Sequence, residues 1–271
     1  MVIDFHTHIF PDKIARMAIN KLEENIKQAS KVEVKACHDG NLAGLLKSME
    51  KNDITYSVVM PIATNPRQTE SINTFAKLIN NKNGVYSFGS IHPEDEEWEK
   101  HLEEIKEMGL LGIKLHPEYQ DFYVDSAKSI EILKRAKDLG LYVMLHTGKD
   151  AGVDSPVHCT PEMLANAVEK ADATNVIAAH FGGFGMWERS LEYLLELPIY
   201  IDTSMSFGIA SCDTLLGIIE NHDNDKILFG SDCPWQDQGF AKRYLNELNL
   251  SEELKEKILY QNGAKLLDIK I

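Results

Sequence analysis

The sequence predicts an α/β protein, a (β/α)8 TIM barrel formed by a single domain over residues 1–271. Short β-rich runs alternate with helical stretches along the whole chain. Several of these runs are nearly continuous apolar segments, as expected for strands that are buried on both faces of a parallel sheet. The first turn, HTHIFPD, has no glycine, whereas an open doubly wound sheet usually carries its ligand at a glycine-rich first turn.

Eight strands are predicted. They cover residues 2–8, 56–62, 85–92, 111–116, 142–146, 175–180, 199–204 and 227–232. Eight strand-and-helix units in series favour a closed barrel over an open sheet.

The segments between the strands predict helices, the clearest being residues 42–52, 97–108, 126–139, 161–170 and 251–260. Gly109 and Gly140 follow two of them and are typical C-terminal caps. Thr160 and Pro161 are typical of an N-cap and a first helical turn. Residues 9–41 form an extended insertion after the first strand, with a long amphipathic helix and the CHDGN turn. In a barrel this insertion lies at the catalytic mouth, where it can act as a lid.

Composition and charge narrow the classes of partner. The chain of 271 residues is 44% hydrophobic, and its net charge of −14 argues against nucleic acid or an anionic membrane as the main partner. A small-molecule substrate fits better, and even an anionic one is not excluded, because a metal supplies local positive charge. Four scattered cysteines, no signal peptide and no membrane-spanning run predict a reduced, cytoplasmic chain. Because barrels of this kind often pair through their helices, a homodimer is one expected assembly.

The ends of the predicted strands carry residues that bind metals. His6 and His8 are two positions apart in the first strand, so they point to the same side and can bind one ion together. His146, His180 and Asp232 end the fifth, sixth and eighth strands. Since the carboxyl ends of barrel strands open onto one face, these side chains are expected to meet there. Imidazoles with one carboxylate suit zinc or another divalent ion in an open site.

Lys114 and His116 end the fourth strand and share a face by alternation. A buried lysine is costly unless it is paired or modified. Lys114 therefore either pairs with Asp232, Asp4 or a substrate carboxylate, or is carbamylated and bridges two metals. The residues favour the first reading.

Six motifs in order, from DFHTH through GIKLHP, LHTG, AAHFGG and YIDTS to FGSDCPW, resemble the amidohydrolase superfamily. The similarity is to its amidohydrolase-related branch of TIM-barrel metal-dependent hydrolases, and it covers nearly the whole chain. TatD-like nucleases also share the HxH opening but have a glutamate at the fourth strand, where this chain has Lys114. PHP phosphoesterases need HD-type motifs that this sequence lacks.

The resemblance implies roles for individual residues. His6, His8, His146 and Asp232 match the metal ligands of the family. Asp232 would also accept a proton from the metal-bound water, and His180 would orient water or substrate. In binuclear members, positions matching His180 and Lys114 hold a second metal. Zinc is the expected cofactor, as one ion or two, with manganese as the alternative.

The predicted function is therefore hydrolysis of an amide, ester or lactone-type bond of a small molecule by a metal-activated water. The alternative within the same fold is metal-dependent non-oxidative decarboxylation of an unsaturated or aromatic carboxylic acid, with Lys114 as the carboxylate partner. A metal-free binding barrel is a further alternative, which predicts the loss of a ligand. Among lesser candidates, Asp202 and Ser204 are expected to line the pocket, His158 to be a surface histidine, and Cys233 to be a small buried filler.

Overall fold

A computed structural model describes residues 1–31, 33–154 and 156–271 of the chain. Within these residues, eight strands alternate with helices. The strands are β1 (Ile3–Thr7), β2 (Tyr56–Val59), β3 (Val85–Ser87), β4 (Gly112–Leu115), β5 (Tyr142–Leu145), β6 (Val176–Ala178), β7 (Tyr200–Asp202) and β8 (Ile227–Leu228). The helices are α1 (Asp12–Ser30), α2 (Leu42–Lys51), α3 (Thr69–Ile79), α4 (Trp98–Glu107), α5 (Ala127–Leu139), α6 (Pro161–Ala171), α7 (Trp187–Tyr193), α8 (Cys212–Asn221), α9 (Gln238–Glu247), α10 (Glu252–Glu256) and α11 (Asn262–Leu267). A π-helical turn, Lys257–Gln261, joins the last two helices.

All neighbouring strands are parallel and follow the chain order, as β1-β2-β3 and β4-β5-β6-β7-β8. The two groups meet at both edges. Gly89, just after β3, pairs with Ile113 of β4, and Thr7 of β1 pairs with Cys233, beyond β8. At the second junction the N–H of Asp232 donates to the carbonyl oxygen of His6 at 2.8 Å. The strands therefore follow one another around a ring, as the predicted barrel requires.

Each predicted strand is found, and every one of them ends earlier than expected. The last strand, predicted over residues 227–232, is Ile227–Leu228, and the sixth, predicted over residues 175–180, is Val176–Ala178. Beyond these points the backbone leaves the regular ladder. His180 has a φ of 60° and Asp232 a φ of 70°, both in the left-handed region that residues other than glycine rarely adopt. His180 and Asp232 therefore lie on turns that follow their strands, whereas His6 lies within β1.

Apolar side chains fill two layers. One cluster occupies the barrel interior and includes Phe5, Phe88 and Met144. A larger cluster packs the outer face of the strands, with Ile113 and Leu115 among its members, against the helices. Alternation along β4 then turns Lys114 inward, between the outward-facing Ile113 and Leu115.

Side-chain caps explain where several helices begin. Ser126 accepts the N–H of Ser129 ahead of α5, and Thr160 accepts the N–H of Met163 ahead of α6. Gly140 ends α5 in the left-handed conformation predicted for it, with a φ of 72°. None of the helices in the described residues is long and apolar enough to cross a membrane.

The insertion after β1 contains the predicted amphipathic helix as α1. Its return segment, residues 33–41, contains no helix or strand and runs along the loop that follows β8. The N–H of Phe10 donates to the carbonyl oxygen of Gly40 at 2.7 Å, and the N–H of Cys37 donates to that of Pro234 at 2.8 Å. The insertion is thus attached to the rim of the barrel on which the strand ends open.

Candidate metal centre

Three of the predicted ligands meet at the junction of β1 with the turn after β8. His6 Nε2 lies 3.2 Å from His8 Nε2, and Asp232 Oδ1 lies 3.4 Å from the first and 3.0 Å from the second. We call these three side chains the trio. Zinc–ligand distances of about 2.0–2.2 Å in a tetrahedral site place ligand atoms about 3.3–3.6 Å apart. The trio therefore has nearly the dimensions of one face of a metal-binding tetrahedron.

The hydrogen bonds of the two histidines show which ring nitrogens carry hydrogen. His6 Nδ1 lies 2.7 Å from Asp202 Oδ2, and His8 Nδ1 lies 2.8 Å from the carbonyl oxygen of Met60. Both partners are acceptors, so each Nδ1 is the donor and each neutral ring turns the lone pair of Nε2 toward the trio. Burial, followed by the charge of Lys114, lowers the pKa of His6 to about 3, so its ring is neutral at pH 7.

Two imidazole lone pairs and a carboxylate oxygen thus converge within 3.4 Å of one another. Such a set of electron-pair donors is unfavourable unless a cation lies between them. The donor types, two nitrogens and one oxygen, are ones that divalent transition metals accept. The trio therefore fits a divalent metal ion.

A register shift in β1 helps to aim the two histidines. The pairing of β1 with β2 is irregular between Asp4 and Thr7, which is the mark of a β-bulge. Phe5 belongs to the interior apolar cluster, and His6 and His8 nevertheless face each other. The bulge lets His6 and His8 face each other although Phe5 also faces the barrel interior.

His146 is not part of the trio. Its Nδ1 lies 3.0 Å from His180 Nε2, and its Nε2 lies 3.1 Å from the carbonyl oxygen of Lys149. Burial, with the neighbouring His116 and His180 rings, holds the pKa of His146 well below its usual value. The structure thus brings His6, His8 and Asp232 together and places His146 one step away, beside His180.

His180 connects the two sides of the site. Its ring stacks on that of His6 with centroids 5.3 Å apart, and its Nδ1 lies 2.9 Å from Ser204 Oγ. The backbone N–H groups of His180 and Ser204 donate to Asp202 Oδ1 at 3.0 and 2.9 Å. Asp202, fully buried at the end of β7, therefore holds both His6 and His180 in place. The sequence analysis gave Asp202 and Ser204 only as pocket-lining residues.

A second group of potential ligands contains His116, His146 and Asp150. His116 stacks on His146 with centroids 4.1 Å apart and an interplanar angle of 11°. His116 Nε2 lies 3.3 Å from Asp150 Oδ2, while Asp150 Oδ1 accepts the Tyr119 hydroxyl at 3.2 Å. We call His116, His146 and Asp150 the stacked group. Sequence reasoning missed it as a unit, although the spacing of His146 and Asp150 after one strand was a usable signal.

Lys114 is 1% exposed, and its Nζ lies 3.3 Å from His6 Nε2. Burial lowers the pKa of Lys114 to about 8. Within the described part of the chain it forms no ion pair with Asp232 or Asp4, so that expected pairing is not seen. Its ammonium points instead at the lone pair of a metal-site histidine.

Two of the lesser expectations can also be compared with the structure. His158, expected at the surface, is 8% exposed, its ring packs against Tyr123 and its Nδ1 lies 3.2 Å from the carbonyl oxygen of Pro117. The expectation was wrong because the loop after β5 folds back onto the loop after β4. Cys233 is buried, as expected.

Comparisons with known proteins agree with this architecture. The sequence profile of the amidohydrolase family matches residues 3–269. No curated protein sequence matches the chain significantly. A TIM-barrel protein from Bordetella bronchiseptica superposes with a TM-score of 0.73, at 17% identity, covering 99% of this chain and 98% of that one.

Two further similar structures come from enzymes. A dihydroxybenzoic acid decarboxylase from Polaromonas, with bound manganese and the inhibitor 2-nitroresorcinol, gives a TM-score of 0.71 at 16% identity, covering 99% of this chain and 97% of that one. A probable 2-pyrone-4,6-dicarboxylic acid hydrolase from Acinetobacter baumannii, with citric acid bound, gives 0.64 at 15% identity, covering 98% and 99%. At these identities the likeness shows the fold, and the predicted barrel is confirmed.

Proposed function

The chain belongs to the amidohydrolase family, as its sequence predicted, and from that premise we propose that it is a hydrolase of a small molecule. The bond cleaved would be an amide, ester or lactone, and the enzyme would use one divalent metal ion. His6, His8 and Asp232 would hold the ion, and His146, whose two ring nitrogens contact Lys149 and His180, would lie beside the ion without being one of its ligands. This ligand set and the choice of reaction are our proposals.

One observation supports the proposal above all: the Nε2 atoms of His6 and His8 and Oδ1 of Asp232, all three electron-pair donors, converge within 3.4 Å of one another. Asp202 and the carbonyl oxygen of Met60 fix the orientation of the two rings from behind. Partners of this kind hold a metal-binding histidine in its required tautomer. The arrangement is therefore suited to a cation before any ion arrives.

A divalent ion in this position supplies Lewis acidity and lowers the pKa of water toward about 7. The carboxylate of Asp232 accepts the proton of the attacking water and returns it to the leaving group. Burial raises the pKa of Asp232, but the neighbouring imidazoles lower it below its usual range, so the group is an ionised carboxylate at neutral pH. His180, held by Asp202 and Ser204, orients the water or the carbonyl oxygen of the substrate.

Zinc is the proposed ion, because two imidazoles and a carboxylate are its usual ligands in catalytic sites. Manganese is the alternative, supported by the manganese bound in the similar decarboxylase structure. We propose a single ion per chain, because the stacked group meets its own hydrogen-bonding needs: His116 Nδ1 lies 3.4 Å from the N–H of Tyr119, which leaves Nε2 to donate to Asp150.

Decarboxylation of an aromatic acid is the second candidate, and Lys114 favours it. A fully buried cation beside the trio is a natural partner for a substrate carboxylate. Among the similar structures, the manganese-containing one is named as a decarboxylase of dihydroxybenzoic acid. In this reaction the metal and Lys114 would anchor the acid, and no water would attack.

The test compares both reactions on protein loaded with zinc or with manganese. p-Nitrophenyl acetate, the lactone dihydrocoumarin and an aryl amide are assayed for acid release, and 2,6-dihydroxybenzoate is assayed for carbon dioxide. The proposal expects acid release that depends on added metal and is lost in His8→Ala. His101→Ala is the matched control, since that buried histidine lies on α4, outside the trio and the stacked group, and pairs with Asp95. Carbon dioxide release without hydrolysis would replace the proposal by the second candidate, and no metal-dependent turnover of any probe would contradict both.

A further inference from the structure

Two cysteines and a histidine outside the metal centre lie together where the insertion after β1 meets the loop after β8. Cys37 Sγ lies 3.7 Å from Cys233 Sγ, and His38 Nε2 lies 3.2 Å from Cys233 Sγ. The backbone bond from Cys37 to Pro234, at 2.8 Å, holds the two chain segments side by side. Two thiols that are 196 positions apart in the sequence are therefore in van der Waals contact.

The hydrogen bonds of this cluster form a chain in which His38 donates to Cys233 and Cys233 donates to Cys37. His38 Nδ1 accepts the N–H of Gly40 at 3.0 Å. Burial lowers the pKa of His38, so the ring is neutral and its single hydrogen is on Nε2, facing Cys233. The thiol of Cys233 in turn donates to Cys37, and this bond is the largest cause that lowers the pKa of Cys37. Cys37 is thus the sulfur on which negative charge is best supported.

The two sulfurs differ in access. Cys37 is exposed, and Cys233 is buried behind it. Cys37 and His38 line an open cleft of about 520 Å³ that also borders Lys47 and Lys51. A small oxidant therefore reaches Cys37 first and finds Cys233 as the second thiol.

We propose that Cys37 and Cys233 form an oxidative modification site at which a hydroperoxide converts the two thiols into a disulfide. The Cys37 sulfur attacks the O–O bond of hydrogen peroxide, which yields a sulfenic acid and one molecule of water. The Cys233 thiol then attacks this sulfur and displaces its hydroxyl group as a second water. The two thiols lose two electrons and two hydrogens, and the peroxide is reduced to water.

The geometry allows this step with a small movement. The sulfurs must approach from 3.7 Å to about 2.05 Å. Cys37 lies in the return segment of the insertion, which has no helix or strand in its described residues and can follow the shift. The product would link the insertion covalently to the residue after Asp232 and so restrain the rim beside the metal centre.

Two thiols and an imidazole are also a donor set for a thiophilic metal. The hydrogen that His38 presents to Cys233 disfavours this use, because a ligating nitrogen must offer a lone pair. Metal binding by this cluster is therefore the competing outcome.

The test treats the reduced, metal-loaded protein with hydrogen peroxide and measures its intact mass, its maleimide-reactive thiols and its disulfide-linked peptides. We expect a mass loss of about 2 Da, protection of Cys37 and Cys233, and full reversal by dithiothreitol. Cys37→Ser should abolish the mass loss. Cys212→Ser is the matched control, since Cys212 is also exposed but lies at the start of α8, and this variant should behave like the parent protein.

A second measurement detects the restraint itself. Amide hydrogen exchange of residues 33–41 should slow on oxidation and recover on reduction, in the parent protein and not in Cys37→Ser. The proposal is overturned if Cys37 proceeds to a sulfinic acid while Cys233 stays a thiol, or if peroxide releases a metal ion from the pair. Neither measurement uses catalytic activity, so the result stands apart from the proposed hydrolysis.

Discussion

The trio and the stacked group both contain two histidines and an aspartate, yet they are built in opposite ways. In the trio, the outer ring nitrogens donate to Asp202 and to the carbonyl oxygen of Met60, so that the three side chains turn only acceptor atoms toward one another. In the stacked group, Asp150 receives hydrogen bonds from Tyr119 and from the N–H of Gly152, and His116 lies within reach of its second oxygen. Residue type alone cannot distinguish the two; the direction of the hydrogen bonds does.

This contrast explains how each region can serve the enzyme. A set of converging acceptors needs a cation, whereas a set with matched donors and acceptors is stable without one. His146 stands between them, stacked on His116 and bonded to His180. In the stacked group, His116 and Asp150 thus support His146, and His146 in turn contacts His180 beside the candidate metal centre.

The largest effect is expected for Asp232→Asn, which removes the negative charge of the trio and the proposed proton acceptor together. We expect kcat/KM for the hydrolysed probe to fall by about 10²–10⁴-fold. Steady-state kinetics at saturating metal measures the change. Asp213→Asn, on the exposed first turn of α8, is the control and should keep parent activity. Parent-like kinetics in Asp232→Asn would remove this residue from the mechanism.

A direct comparison of the two regions comes from His8→Ala and His146→Ala. His8 faces the centre of the trio, so its loss should weaken metal binding by more than about 100-fold. His146 already uses both ring nitrogens, so its loss should weaken binding by only about 10–100-fold. Isothermal titration with zinc measures both. An equal loss of zinc affinity in the two variants would make His146 a full ligand and would contradict the difference between the trio and the stacked group.

Asp202→Asn tests the support behind the trio. The amide can present its NH2 group to His6 Nδ1, which would turn the ring to the wrong tautomer. Zinc affinity is expected to fall about 10–100-fold while the fold is kept. Titration calorimetry and circular dichroism measure the two effects. The idea fails if Asp202→Asn binds zinc as tightly as the parent protein.

The smallest effect is expected for Lys114→Met. Replacing a buried charge by an apolar side chain of similar length is often neutral or stabilising. The free energy of unfolding should therefore fall by no more than about 1 kcal/mol, or it should rise. Metal content should stay at one ion per chain. Urea unfolding and elemental analysis test this, and loss of a second ion in the variant would support a carbamylated, bridging Lys114.

The sequence predicted the order and number of strands and the helix caps at Gly140 and Thr160, because periodicity and capping are local properties. It also placed His6, His8 and Asp232 at one rim, since all strands of a parallel barrel open onto the same face. It could not predict that His146 lies apart from the trio. The position of His146 depends on the contact of its Nε2 with the carbonyl oxygen of Lys149 in a folded loop. The single-domain boundary, the cytoplasmic location and the homodimer stay predictions.

The contact of Asp202 with His6 and the bulge in β1 could not have been predicted either. Asp202 accepts a hydrogen bond from His6, which is 196 positions away in the sequence. Only the folded barrel brings these two residues together. The bulge is a property of how two strands pair, and neither strand carries a sequence signal for it.

Anomalous diffraction from crystals of zinc-loaded protein, recorded at the metal absorption edge, is the most direct test of the central claim. We expect one peak per chain, within bonding distance of Nε2 of His6, Nε2 of His8 and Oδ1 of Asp232. A sole peak among His116, His146 and Asp150 would contradict it, since it would show that the region with matched hydrogen bonds, rather than the one with converging acceptors, binds the ion.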